Sequence, residues 1–125
     1  MSVRVLLVDD TDHVREMLAQ MLTLDGFDVA GRASSGVEAI ELARTCAPDI
    51  VIMDYKMPLM DGITATRAIR SEAPTLPVIL YTAYLDEDIE SRAKEAGVSA
   101  CIGKVEGLNT LEHEISALCL ELVEG

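Results

Sequence analysis

Two hydrophobic periods alternate along this chain, and that alternation limits its folds more than any other feature. Short, nearly continuous apolar runs at Val3 to Val8, Ile50 to Met53 and Val78 to Tyr81 read as strands buried on both faces. Two further runs, Asp28 to Gly31 and Val98 to Ile102, complete a set of strand candidates. The Asp28 run is the more polar, which predicts an edge position. Between the runs lie segments with helical spacing. Val14, Met17, Leu18, Met21 and Leu22 form one apolar face, with Gly26 placed to end the helix. Ser35 and Glu38 have capping-box spacing ahead of Val37, Ile40 and Ala43, and Pro48 marks the exit loop. Asp61 is placed to cap a third helix carrying Ile63 and Ile69. Asp86, Glu87 and Asp88 put negative charge at the start of a fourth, which Gly97 ends. A fifth carries Leu108, Leu111, Ile115, Leu118 and Leu122.

Strands alternating with helices imply a doubly wound α/β domain: parallel strands, right-handed crossovers and helices on both faces. At 125 residues the chain has room for one such domain, expected over 1–125, with no visible linker. Trp is absent and Phe27 is the only Phe, so the core is expected to be aliphatic, the helical methionines included.

A net charge of −12 opposes binding to nucleic-acid backbones and anionic membranes. It is compatible with a basic protein partner or divalent cations, but for most of these charges a solvated surface is the simpler account. Cys46, Cys101 and Cys119 show no CxxC spacing, so buried, reduced thiols in a cytoplasmic protein are expected. The apolar run after Met1 is too short for a signal peptide or a membrane span.

In a doubly wound sheet, chemistry gathers beyond the carboxyl ends of the strands. Asp9 and Asp10 follow the first strand, Asp54 the third, Thr82 the fourth and Lys104 the fifth. Three carboxylates on one rim repel each other and call for a counter-ion. A hard cation such as Mg²⁺ suits them, keeping waters and phosphate oxygens beside one or two carboxylates. Lys104 adds a compact positive charge, Thr82 a hydroxyl, and a carboxylate can act as nucleophile, so the set suits a phosphoryl group. Taken alone, Asp9 and Asp10 are equally suited to capping the first helix.

The acidic pair Asp9-Asp10, the run Asp54-Tyr55-Lys56-Met57-Pro58-Leu59-Met60-Asp61-Gly62, the strand end Leu80-Tyr81-Thr82-Ala83 and Lys104 occur in this order. In this the chain resembles the receiver domain of two-component response regulators along essentially its whole length. The resemblance implies a (βα)5 flavodoxin-like sheet of strand order 2-1-3-4-5, and a signalling switch rather than an enzyme acting on an external substrate. It assigns Asp54 as phosphoacceptor. Asp10 becomes a direct Mg²⁺ ligand supported by Asp9, and Asp54 and the backbone carbonyl of Lys56 become further ligands. Thr82 is to hydrogen-bond the phosphoryl group, and Lys104 is to pair with Asp54 and then with the phosphoryl oxygens. The implied partners are a sensor histidine kinase or phosphotransfer protein, and a downstream protein or a second copy of the chain.

Three positions depart from the family pattern. Many receivers carry an aromatic ring three residues before the lysine, coupled to the threonine; here Cys101 stands there, and Tyr84 is a candidate substitute. Val105 replaces a frequent cis proline, so a trans bond is expected. Non-proline residues there, and the Asp61 to Arg67 stretch, resemble the branch fused to helix-turn-helix outputs; the chain reads as a stand-alone receiver or an excised one. Finally, Lys56 and Tyr84 flank the expected path of hydrolytic water, which predicts slow autodephosphorylation. Aspartyl-phosphate hydrolases want a second acid two residues after the nucleophile, where this chain has Lys56.

Overall fold

Polar residues cut the apolar runs into strands of four to six residues, and a computed structural model shows all five paired in one sheet. It describes the backbone of residues 2–83 and 85–124 and the side chains as far as residue 119. Tyr84 and the side chain of Leu122 therefore lie outside the described residues. The order along the chain is β1 (Arg4–Val8), α1 (Asp12–Leu24), β2 (Asp28–Ala33), α2 (Gly36–Thr45), β3 (Ile50–Met53) and α3 (Gly62–Glu72). It continues with β4 (Val78–Thr82), α4 (Glu87–Ala96), β5 (Ala100–Gly103), a 3₁₀ turn (Lys104–Glu106) and α5 (Leu108–Glu124). The sheet is parallel with order β2-β1-β3-β4-β5, and the polar β2 takes an edge as its sequence predicts.

Alternate residues of the central strands feed two separate cores. Leu6, Val8, Val51, Met53, Val78 and Leu80 pack toward α2, α3 and α4. Val5, Leu7, Ile50, Ile52, Ile79 and Tyr81 pack toward α1 and α5. Both faces are covered, which is why these strands are apolar at every position. All four residues of β3 and all five of β4 are buried.

The N-caps form at the residues the sequence predicts, but the Ser35–Glu38 pair departs from a capping box by one residue. The Ser35 hydroxyl accepts from Glu38 N at 3.1 Å, while the Glu38 carboxylate reaches back to Ser34 N at 3.0 Å. Asp61 accepts from Thr64 N and Asp86 from Ile89 N, each at 2.8 Å. Gly26 and Gly97 take the left-handed conformation (φ +92° and +97°) where α1 and α4 stop. Every peptide bond among the described residues is trans, the bond before Val105 included.

Several inward assignments change. Met17 and Met21 are 50% and 39% exposed, and Val37 is 63% exposed. On α1, Leu18, Ala19 and Leu22 face the sheet and the methionines lie to one side. On α2, Ala39 is buried and Ile40 and Ala43 are half-buried, while Val37 points to solvent. The thiols are free, but only Cys119 is buried; Cys46 and Cys101 are half-buried. Strand ends also move: β2 extends to Ala33, β4 includes Thr82, and β5 begins at Ala100.

Candidate functional site

Parallel pairing in register brings four strand ends to one rim. Val8 lies beside Met53, Met53 beside Leu80, and Thr82 beside Gly103. The residues that follow therefore converge on one open cleft of about 510 Å³, whose lining includes Asp10, Asp54, Lys56, Pro58, Ala83 and Lys104.

Backbone bonds fix the two buried carboxylates. Asp54 N donates to Val8 O at 2.9 Å, and Asp9 N donates to Ala33 O at 3.1 Å. Asp9 is 3% exposed and Asp54 8%, whereas Asp10 is exposed at the mouth. Asp9 Oδ1 accepts from Thr11 N at 2.9 Å, and its Oδ2 accepts from Lys104 Nζ at 3.1 Å. Arg15 donates to the Asp9 carbonyl at 2.6 Å. Asp54 Oδ1 accepts from Tyr55 N at 2.9 Å, and its Oδ2 lies 3.7 Å from Lys104 Nζ. Lys104 is thus ion-paired with Asp54, as the family resemblance implies, and hydrogen-bonded at shorter range to Asp9, a bond the resemblance did not imply. Thr11 is the N-cap of α1 and its side chain makes no cap hydrogen bond; of the acidic pair, Asp9 engages the Thr11 amide just ahead of the helix, while Asp10 is left at the cleft.

One oxygen from each of Asp9, Asp10 and Asp54 falls within 4.8 Å of the others. Hard, anionic oxygens at this spacing match what Mg²⁺ prefers, and the open mouth leaves room for the waters and phosphate oxygens it retains. Charge crowding also marks Asp54. Burial, with help from Asp9 and Asp10, pushes its carboxyl up from 3.8 to about 6, against the opposing pull of Lys104.

Thr82 is fully buried as the last residue of β4, and Ala83 lines the cleft in its place. A hydroxyl at that position has to move, or be approached, to meet a ligand in the cleft. Lys56 lines the cleft as expected. His13 and His113 are exposed and stand apart from it.

The loop after Asp54 turns sharply. Met60 N donates to Pro58 O at 2.8 Å across Leu59, which adopts φ +70° and is fully exposed. The chain then returns so closely that a Cβ on Gly62 would collide with the Asp54 carbonyl oxygen and come within 2.9 Å of its carbonyl carbon. Gly62 is therefore a close-approach residue at the first turn of α3. Two more contacts escape sequence reading: the Arg15 clamp on Asp9, and an Arg92 bond to the Tyr55 hydroxyl at 3.0 Å. The second spans 37 residues, beyond any local periodicity.

Comparison with known proteins agrees with this geometry. The family description "Response regulator receiver domain" matches residues 5–116. The transcriptional regulatory protein PdtaR of Mycobacterium tuberculosis (strain H37Rv) is 43% identical over 101 residues, covering 81% of this chain and 49% of PdtaR. The chain thus spans about half the length of that curated relative. A two-component response regulator of the LuxR family from Aurantimonas sp. SI85-9A1 superimposes with TM-score 0.90 at 33% identity, over 94% of this chain and 85% of that one. The response regulator TrrA of Thermotoga maritima, solved in complex with Mg²⁺ and BeF, gives TM-score 0.84 at 28% identity, over 93% and 98% of the two chains. Five strands in the order 2-1-3-4-5, an acidic cleft at their carboxyl ends and a family match across most of the sequence lead to one conclusion: this chain belongs to the response regulator receiver domain family.

Proposed function

We propose that residues 1–125 form one receiver domain that works as a phosphorylation switch, with Asp54 accepting the phosphoryl group. The carrying observation is the placement of Asp54: 8% exposed, with one carboxylate oxygen held by Tyr55 N and the other facing Lys104 across 3.7 Å at the base of the cleft. Oδ2 is the oxygen that attacks. The donor's P–N bond to a phosphohistidine, or P–O bond to an acyl phosphate, breaks as the Oδ2–P bond forms. The leaving imidazole takes up a proton from solvent, or the carboxylate leaves as an anion. Catalysis is positioning and charge stabilisation.

Asp10, Asp9, Asp54 and the Lys56 carbonyl are the groups that would hold Mg²⁺, with Asp9 acting as support because Lys104 and Thr11 occupy its oxygens. When bound, the ion neutralises the crowded carboxylates and the phosphoryl oxygens. Lys104 supplies a second positive charge to those oxygens, and Thr82 a hydroxyl once its segment moves inward. The change then shifts a two-state equilibrium on the surface of α4, β5 and α5, altering what that surface binds. A sensor histidine kinase or phosphotransfer protein is the donor, and a downstream protein or a second copy the recipient. The chain catalyses nothing on an external substrate. Its place is the cytoplasm; among the described residues no helix is long and apolar enough to cross a membrane.

Phos-tag electrophoresis after treatment with acetyl phosphate tests the reading. A retarded band that needs Mg²⁺, and is absent with EDTA or in Asp54→Asn, is expected. Wild type without a retarded band, or Asp54→Asn with one, rejects it.

A further inference from the structure

Tyr55 joins the candidate acceptor to α4. Its amide donates to Asp54 Oδ1 at 2.9 Å, and its carbonyl accepts from Gly62 N at 2.8 Å. Its hydroxyl accepts from Arg92 Nη2 at 3.0 Å, and the Arg92 guanidinium also lies 5.7 Å from the ring centroid. Arg92 Nε donates to Asp88 Oδ2 at 3.0 Å, one turn back on α4, so the guanidinium is oriented from its own helix. The half-buried Tyr55 ring packs against the same core cluster as Leu85, Cys101 and the α4 residue Ile89.

Phosphorylation on Oδ2 alters the near end of this chain of contacts. Oδ1 changes from half of a charged carboxylate into the carbonyl oxygen of an acyl phosphate, a weaker acceptor for the Tyr55 amide. Tyr55 is thereby loosened at one end while its ring and hydroxyl stay engaged with Arg92 at the other. Cys101, small and without a ring, has nothing comparable to swing between β5 and α4.

We propose that the Tyr55–Arg92 contact transmits the state of Asp54 to α4. The inference rests on Asp54 being the phosphoacceptor, and its test separates the two claims. Tyr55 and Arg92 are positioning residues, since neither side chain is needed for chemistry in the cleft.

The experiment follows backbone amide resonances of the full chain as beryllofluoride and Mg²⁺ are added. In wild type, amides at the cleft (Asp54, Ala83, Lys104) and along α4 should both shift. In Tyr55→Phe, which removes only the hydroxyl, and in Arg92→Gln, the cleft shifts should persist while the α4 shifts fall several-fold. Arg44→Gln breaks an exposed ion pair with Glu72 on α3 and should leave both responses intact. Undiminished α4 shifts in Tyr55→Phe and Arg92→Gln, or an equal loss in Arg44→Gln, overturn the coupling alone. Wild type without cleft shifts overturns the phosphoacceptor reading, and the coupling with it.

Discussion

Asp54 is held between opposing forces. Burial and two neighbouring carboxylates favour its neutral form, and Lys104 favours its anion; burial wins, and the carboxyl titrates near 6 instead of 3.8. Between those values the folded protein binds more protons at this site than the unfolded chain does. Stability contributed by Asp54 therefore falls as pH rises from about 4 to about 6, and the cost is complete above that. A shift of this size corresponds to a ceiling of roughly 3 kcal/mol, reduced by solvent at the cleft mouth. In metal-free protein, Asp54→Asn should be more stable than wild type by about 1–3 kcal/mol at pH 7.5. The gain should shrink toward zero near pH 4. Urea denaturation in EDTA across that range checks the sign, and a pH-independent difference would count against it. Lys56 sits on the cleft wall, where a long cation would obstruct water approaching an acyl phosphate. Lys56→Asn and Tyr84→Ala should each shorten the phosphorylated lifetime; unchanged decay in both would reject the obstruction.

Among the elements, α3 matters most to the site because its first turn touches the Asp54 backbone. Gly62 N donates to Tyr55 O at 2.8 Å, and the missing side chain permits the approach. The obstacle to a Cβ there is backbone, which cannot rotate away. Gly62→Ala should cost about 2–3 kcal/mol, the upper range for overpacking. It should also slow phosphorylation by displacing Asp54. Full stability and full rate together would show that the loop yields more easily than its packing implies. Strand existence and order of elements were legible in the sequence because charged residues, Gly and Pro interrupt apolar runs at regular intervals. Which face a helical residue takes was less so. Apolar spacing gives the period, but Met17, Met21 and Val37 fit that period and lie outside the contact stripe. The rim residues were legible because each lies at or just after the end of a strand. The depth of Asp9 and Thr82, the preference of Lys104 for Asp9, and the Tyr55–Arg92 contact depend on how separate elements pack, which no local pattern encodes.

Across the whole molecule, excess negative charge and a cleft of three carboxylates make a divalent cation the natural stabilising ligand. Mg²⁺ at ten times its dissociation constant should add about 1.4 kcal/mol, a melting-temperature rise of several degrees for a domain of this size. Asp10→Asn, which removes the exposed ligand at the cleft mouth, should lose most of that rise in a thermal melt. An equal rise in both proteins would place the ion elsewhere. The same charge distribution sets the scale of recognition: under the proposed function a donor would bring a phosphoryl group to a negatively charged rim, and Lys104 and the cation would share the task of neutralising it. The most direct test of that account traps the product chemically. After acetyl phosphate and Mg²⁺, borohydride reduction converts an aspartyl phosphate to homoserine, and peptide mass spectrometry locates it. Homoserine at position 54, dependent on both donor and Mg²⁺, is the predicted result; homoserine at position 9 or 10, or at no position, would contradict it.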